Sequence, residues 1–148
     1  MSLLYAGVGT LVSAKMEARL QLVAVLLAAA AGFGAGAAWY MVNAKRWATA
    51  VGRIEDEVGT DRTALPFVIG FAASLMTAGL MRHVFASAGV AGIGGGLVSG
   101  LGIGLFFIAP WILTNYAFAR RPRALWWIDA GHVVAACAAI GLVLGVFL

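Results

Sequence analysis

Charge is what this sequence has least of. Asp, Glu, Lys and Arg make up 11% of its 148 residues, where a soluble domain carries about a quarter. A folded chain of this size has too much surface to cover with so few charges, so a water-soluble domain is excluded. Proline is nearly as rare, at three residues, and the six acidic residues form no tail. Neither a disordered acidic segment nor a second, soluble domain fits that composition. The single cysteine, Cys137, lies in an apolar run. It excludes an intramolecular disulfide and a thiolate metal cage, and reads as a small helix-packing residue. Ten Lys and Arg give a net charge of +4. In so apolar a chain that excess marks cytoplasmic loops and anionic headgroups rather than nucleic acid.

What is abundant is apolar: 63% hydrophobic residues and a mean hydropathy of +0.98. Crossing about 30 Å of hydrocarbon takes roughly 20 residues of helix. Four stretches meet that length: residues 20–42, 65–87, 90–119 and 125–148. A membrane β-barrel would show short alternating strands instead. The fold expected is an all-α integral membrane bundle of four transmembrane helices, forming one domain over 20–148. Residues 1–19 are expected to be an N-terminal extension resting at the interface. Lys15 and Arg19 precede the first span and Ala35-Gly36-Ala37 resembles a signal cleavage site. Its uncharged run is longer than the roughly 7–15 residues of a signal core, so it reads as a retained span.

The connections are short. Residues 43–64 form the one substantial loop, within which 46–58 can make a short amphipathic helix on the membrane surface. Arg120-Arg121-Pro122-Arg123 is a basic turn whose proline prevents one continuous helix. Those two loops hold Lys45, Arg46, Arg53, Arg62, Arg120, Arg121 and Arg123, against Lys15, Arg19 and Arg82 on the other side. The bias puts the basic loops in the cytoplasm and both termini outside.

Twenty glycines set the packing. Gly92, Gly96, Gly100 and Gly104 recur every fourth residue, which lines one face of the third helix with hydrogen atoms and lets another backbone approach. Gly32 and Gly36 repeat the spacing in the first helix, and Gly141 and Gly145 in the fourth. The partner of the groove is either another helix of the same bundle or a second subunit.

An ionisable residue at the centre of a spanning helix costs about 2.5–3.5 kcal/mol by insertion scales. Asp129 and His132, three apart on one face of the fourth helix, are therefore the leading candidates for a polar site. Tyr40, Asn43, Thr114 and Asn115 arrive at the same depth, among Trp39, Trp47, Trp111, Trp126 and Trp127. That edge reads either as an aromatic belt around one satisfied carboxylate or as a shallow pocket for a lipid headgroup, ion or small anion. Arg120, Arg121 and Arg123 are placed to contact lipid headgroups. Arg82 lies roughly 18 Å away in depth, too far to pair with Asp129. It is expected to extend to the opposite headgroups. No phosphate-binding loop, metal set or activated nucleophile is visible, so neither catalysis nor a cofactor is expected.

Several of these residues carry a resemblance. Gly36-Ala37-Ala38-Trp39-Tyr40 with Trp47 following, Arg121-Pro122, and Ile128-Asp129-Ala130-Gly131-His132 resemble the pattern of the small bacterial membrane proteins of the DUF1761 family. The resemblance covers 20–148. Met41-Val42-Asn43-Ala44-Lys45-Arg46 stands where the family often has a turn containing Ser-Pro and Phe-Gly. What the resemblance implies is a four-helix membrane protein without an established activity; the location expected is the bacterial inner membrane.

The expectation for function is a non-catalytic membrane protein that assembles through its glycine-lined faces, with itself or with other membrane subunits. The alternative is a small oligomeric transporter or channel with a polar site near Asp129 and His132. Lipid binding at the basic, tryptophan-rich edge is a third reading.

Overall fold

The computed structural model describes residues 2–52 and 63–148, with side chains from Ser13 onward. Among the described residues four helices follow one another: α1, Ser2–Val51; α2, Leu65–Ser87; α3, Gly92–Phe118; and α4, Arg123–Val146. Among the described residues there is no strand. Each of the four helices is long and apolar enough to cross a membrane.

Where these helices stop follows from local chemistry. No proline precedes Pro66, so nothing breaks the backbone ladder of α1 over its 50 residues. At 1.5 Å per residue α1 is about 75 Å long, more than twice the hydrocarbon thickness. The helix runs unbroken through residue 19, so the backbone of 2–19 continues into the first span. The amphipathic helix expected over 46–58 is in part the last turns of α1, and 53–58 lie outside the described residues.

α2 opens on Pro66, where the missing N–H costs no hydrogen bond. It closes on Gly89, whose φ of 67° lets Val90 N donate back to the Phe85 carbonyl at 3.0 Å. The end of α3 uses the same closing bond without a glycine. Arg120 takes φ 50° and Arg121 N donates to the Tyr116 carbonyl at 3.0 Å. Pro122 then starts α4.

α4 is the centre of the bundle. Of its spanning window 44% is buried, against 11% for α2, which stands at the edge. α1 and α3 flank α4, and α2 leans mainly on α1, with Phe33 and Phe71 edge to face at 5.8 Å. Phe85, Met81, Ile140 and Leu144 are the largest fully buried side chains. Phe106 and Phe107, 79% and 67% exposed, point outward as lipid-facing residues do.

Between lipid-facing helices there is little hydrophobic driving force, and association rests on close van der Waals contact. α3 and α4 achieve it backbone to backbone. A Cβ placed on Gly96 would run into the Gly141 carbonyl, one on Gly100 into the Cys137 carbonyl, and one on Gly145 into the Gly92 carbonyl. On Gly104 it would lie 2.7 Å from Val134 Cα. The glycine groove of α3 therefore faces the glycines of α4 within one chain. Gly32 and Gly36 of α1 serve the same helix differently: each leaves room for an α4 side chain, Ile140 and His132 respectively.

α3 is not uniform. Residues Ile103–Ile108 form a π-helical segment between the α-helical stretches Gly92–Gly102 and Ala109–Phe118. A π turn accommodates one residue more than an α turn. It also absorbs part of the surplus length of the 30 uncharged residues at 90–119.

Candidate functional site

The polar residues of the bundle gather where α1, α3 and α4 meet. Asp129 is only 8% exposed. Tyr40 Oη donates to one oxygen of its carboxyl group and Tyr116 Oη to the other, both at 2.6 Å. These are short hydroxyl–oxygen distances, in the range of charge-assisted bonds. The carboxyl group is thus a clamp: one side chain of α4 ties down α1 and α3 together. Burial of such a group costs several kcal/mol unless it is hydrogen-bonded, and the two tyrosines answer that need.

The surrounding aromatics lock the clamp. Trp39, next to Tyr40, donates its indole N–H to the Ile128 carbonyl at 2.8 Å. Its ring lies against Gly131, where a Cβ would collide with Cζ2. The Gly131 of the sequence is therefore the floor on which Trp39 rests. Tyr40 also packs edge to face on Trp47, with ring centres 6.4 Å apart.

His132 sits one turn beyond Asp129, and the two do not hydrogen-bond to each other. The imidazole instead lies tilted against the Tyr40 ring at 4.8 Å, in the space that Gly36 leaves free. The two are linked through a chain of contacts, Asp129 to Tyr40 to His132. Asn43 and Thr114 are turned on their own helices, donating to the carbonyls of Trp39 and Pro110 at 2.9 and 2.8 Å. Asn115 is exposed on α3 and Tyr116 takes its place at the site.

The π segment accounts for that exchange. At 3.6 residues per turn, Asn115 in an uninterrupted helix would lie about 20° from Gly104, and Tyr116 about 120° away. One extra residue in the π turn turns the far half back by roughly 100°, which brings Tyr116 onto the glycine face. The buried positions follow the same shift, running Gly96, Gly100, Gly104 and then Ala109.

Below the clamp lies a cleft of about 750 Å³ between α1, α2 and α4, closed on one side by Ile108 of α3. Its walls are apolar, with Phe33, Phe67 and Ile140 among them, and four side chains bring polar groups: Tyr40, Ser74, Thr77 and His132. Ser74 and His132 each lie nine positions into their helices, about 13 Å from the shared end and so well inside two helices long enough to span a membrane. Among the described residues, Ser74, Thr77 and His132 form no hydrogen bond with the protein. Three polar side chains without a hydrogen-bond partner in the protein thus line a cavity of ligand size.

Arg120, Arg121 and Arg123 are exposed on the turn between α3 and α4, where the Arg121 carbonyl receives the Trp126 indole N–H at 3.0 Å. A second hollow, between the end of α1 and the start of α4, is lined by Arg46, Thr49 and Trp127. Among the described residues no group of three His, Cys, Asp or Glu is arranged to hold a metal.

The sequence model of one protein family, described as "Protein of unknown function (DUF1761)", matches residues 23–145. No curated protein and no solved structure matches. The chain belongs to the DUF1761 family.

Proposed function

We propose that this DUF1761 chain is a non-catalytic binding protein of the bacterial inner membrane, whose cleft between α1, α2 and α4 takes an apolar molecule bearing a polar end. The observation that carries this reading is the pairing of a large apolar cavity with hydroxyl and imidazole groups that the protein leaves without hydrogen-bond partners. An unpaired polar group in hydrocarbon is costly, and a bound molecule with one hydrogen-bonding end relieves that cost. The rigid α1–α3–α4 core, held by the glycine contacts and the Asp129 clamp, forms the wall. α2, more loosely set, forms the side from which a molecule enters laterally.

This reading gives Asp129 a structural role. Both of its carboxyl oxygens are engaged by tyrosines, which supports a clamp rather than a station on a transport pathway. Assembly with further copies or other membrane subunits, expected from the glycine spacing, then uses surfaces other than the facing glycines of α3 and α4.

The test is to extract the protein in mild detergent and identify the small molecules that co-purify, for the wild type, Ser74→Leu and His132→Leu. A species retained by the wild type and depleted in both variants, with folding intact, is the expected result. Equal recovery from all three would refute the reading.

A further inference from the structure

The opposite end of the bundle holds a second feature, separate from the cleft. Arg82 lies 17 residues into α2, about 25 Å from its start, one turn short of the helix end. It lines a crevice of about 420 Å³ between α1 and α2, together with Gln21 and His83. Its Nε is buried and has no hydrogen-bond partner. Among the described residues its guanidinium makes no ion pair, although Glu17 borders an adjoining hollow of about 210 Å³ that Arg82 also lines. A cation left this way in a low-dielectric site is incompletely compensated.

The crevice is graded from polar to apolar. α1 runs inward from this end, so Leu22 and Val25 lie deeper than Gln21. α2 runs outward, so Gly79 lies one turn deeper than His83. Inward of the small Ala18 and Ala86 at the mouth, both walls therefore present polar groups first and apolar or small groups below. That order is the order of a phospholipid. The charge at this end also has a sign: Lys15, Arg19 and Arg82 against Glu17 leave an excess of two positive charges.

We propose that this crevice is a binding site for an anionic phospholipid, with its phosphate on Arg82, Gln21 and His83 and one acyl chain along Leu22, Val25 and Gly79. Anionic rather than zwitterionic headgroups are favoured by the positive excess. Arg supplies the planar donor array that phosphate recognition uses.

The experiment is native mass spectrometry of the protein ejected from bilayers of equal phosphatidylglycerol and phosphatidylcholine. The wild type should retain phosphatidylglycerol in roughly tenfold preference, the worth of one charge-assisted contact. Arg82→Gln should return the retained lipid to the input ratio, and Val25→Trp, which blocks the tail path, should lose retained lipid of both kinds. Glu17→Gln should keep or raise the preference. Melting of each variant in detergent verifies that it is folded. An unchanged preference in folded Arg82→Gln would overturn the proposal. Displacement of the lipid by millimolar inorganic phosphate would overturn the lipid assignment in favour of a free anion.

Discussion

Deleting a residue from the middle of a transmembrane helix ordinarily turns one half against the other by about 100° and shortens it by about 1.5 Å. In α3 one deletion should be nearly silent. The π segment Ile103–Ile108 holds one residue more than an α-helix needs, and Phe107 is 67% exposed. Without Phe107, an ordinary α-helix brings Tyr116 to about 20° from the Gly104 direction, where it still reaches Asp129. Without Val98, which is 69% exposed and lies inside the glycine repeat, Gly96 turns about 100° away from Gly100 and Gly104. The two deletions remove similarly exposed apolar residues, so lipid contact does not separate them. Gel filtration of detergent extracts and tryptophan-fluorescence melting provide the assay. Loss of Phe107 should leave a monodisperse protein melting within a few degrees of the wild type. Loss of Val98 should leave aggregate. The proof of register is Tyr116→Phe, which should cost about 1–3 kcal/mol in the Phe107-deleted background as in the full-length chain. If both deletions are equally damaging, the π segment is not the device that brings Tyr116 to the clamp.

Other consequences follow from the same contacts. Gly96→Leu and Gly100→Leu should fail to fold rather than merely change oligomeric state, because the added side chain meets the α4 backbone of the same chain. Gly94→Ala, with nothing within 4 Å of the new methyl group, should hold or raise the melting temperature, by up to about 1 kcal/mol in helix propensity. Asp129→Leu should lower stability by about 1–3 kcal/mol, as two part-buried hydroxyls lose their acceptor, whereas Asp129→Asn, which keeps an acceptor, should lose less; equal melting of the two would count against the clamp. Gly131→Val should release Trp39, visible as a red shift of its emission.

Much of the architecture was legible in the residues themselves. Four long apolar runs, broken only by Arg82 and Asp129 among the charged residues, place four helices, because the hydrocarbon thickness imposes their length. The fourfold glycine repeat identifies the contact face of α3, because residues four apart share a face. Asp129 announces a polar site, because a carboxyl group in hydrocarbon needs partners. The choice of Tyr116 over Asn115 was not legible from regular helical spacing, since it depends on a π turn. The signals that bear on it are Pro110, whose missing N–H weakens the ladder there, and the surplus length of 90–119. The identity of the groove's partner was equally beyond reach: Gly141 and Gly145 offer the same spacing to a neighbouring chain as to their own. Lys15 and Arg19 set residues 1–19 apart from the first span in the sequence, while the backbone runs through them as one helix, since charge at a membrane boundary does not break a helix. The cleft is a property of how far α2 stands from α4, which no local pattern encodes.

The proposed function requires the cleft between α1, α2 and α4 to be a binding site. The most direct measurement is the native mass of the protein released from its own membrane, compared with Ala73→Trp, which places an indole inside the cleft beside Ser74 and Thr77. The expected spectrum is one discrete adduct per wild-type chain, absent from folded Ala73→Trp. An adduct of the same mass and occupancy on both proteins, or none on either, would contradict it.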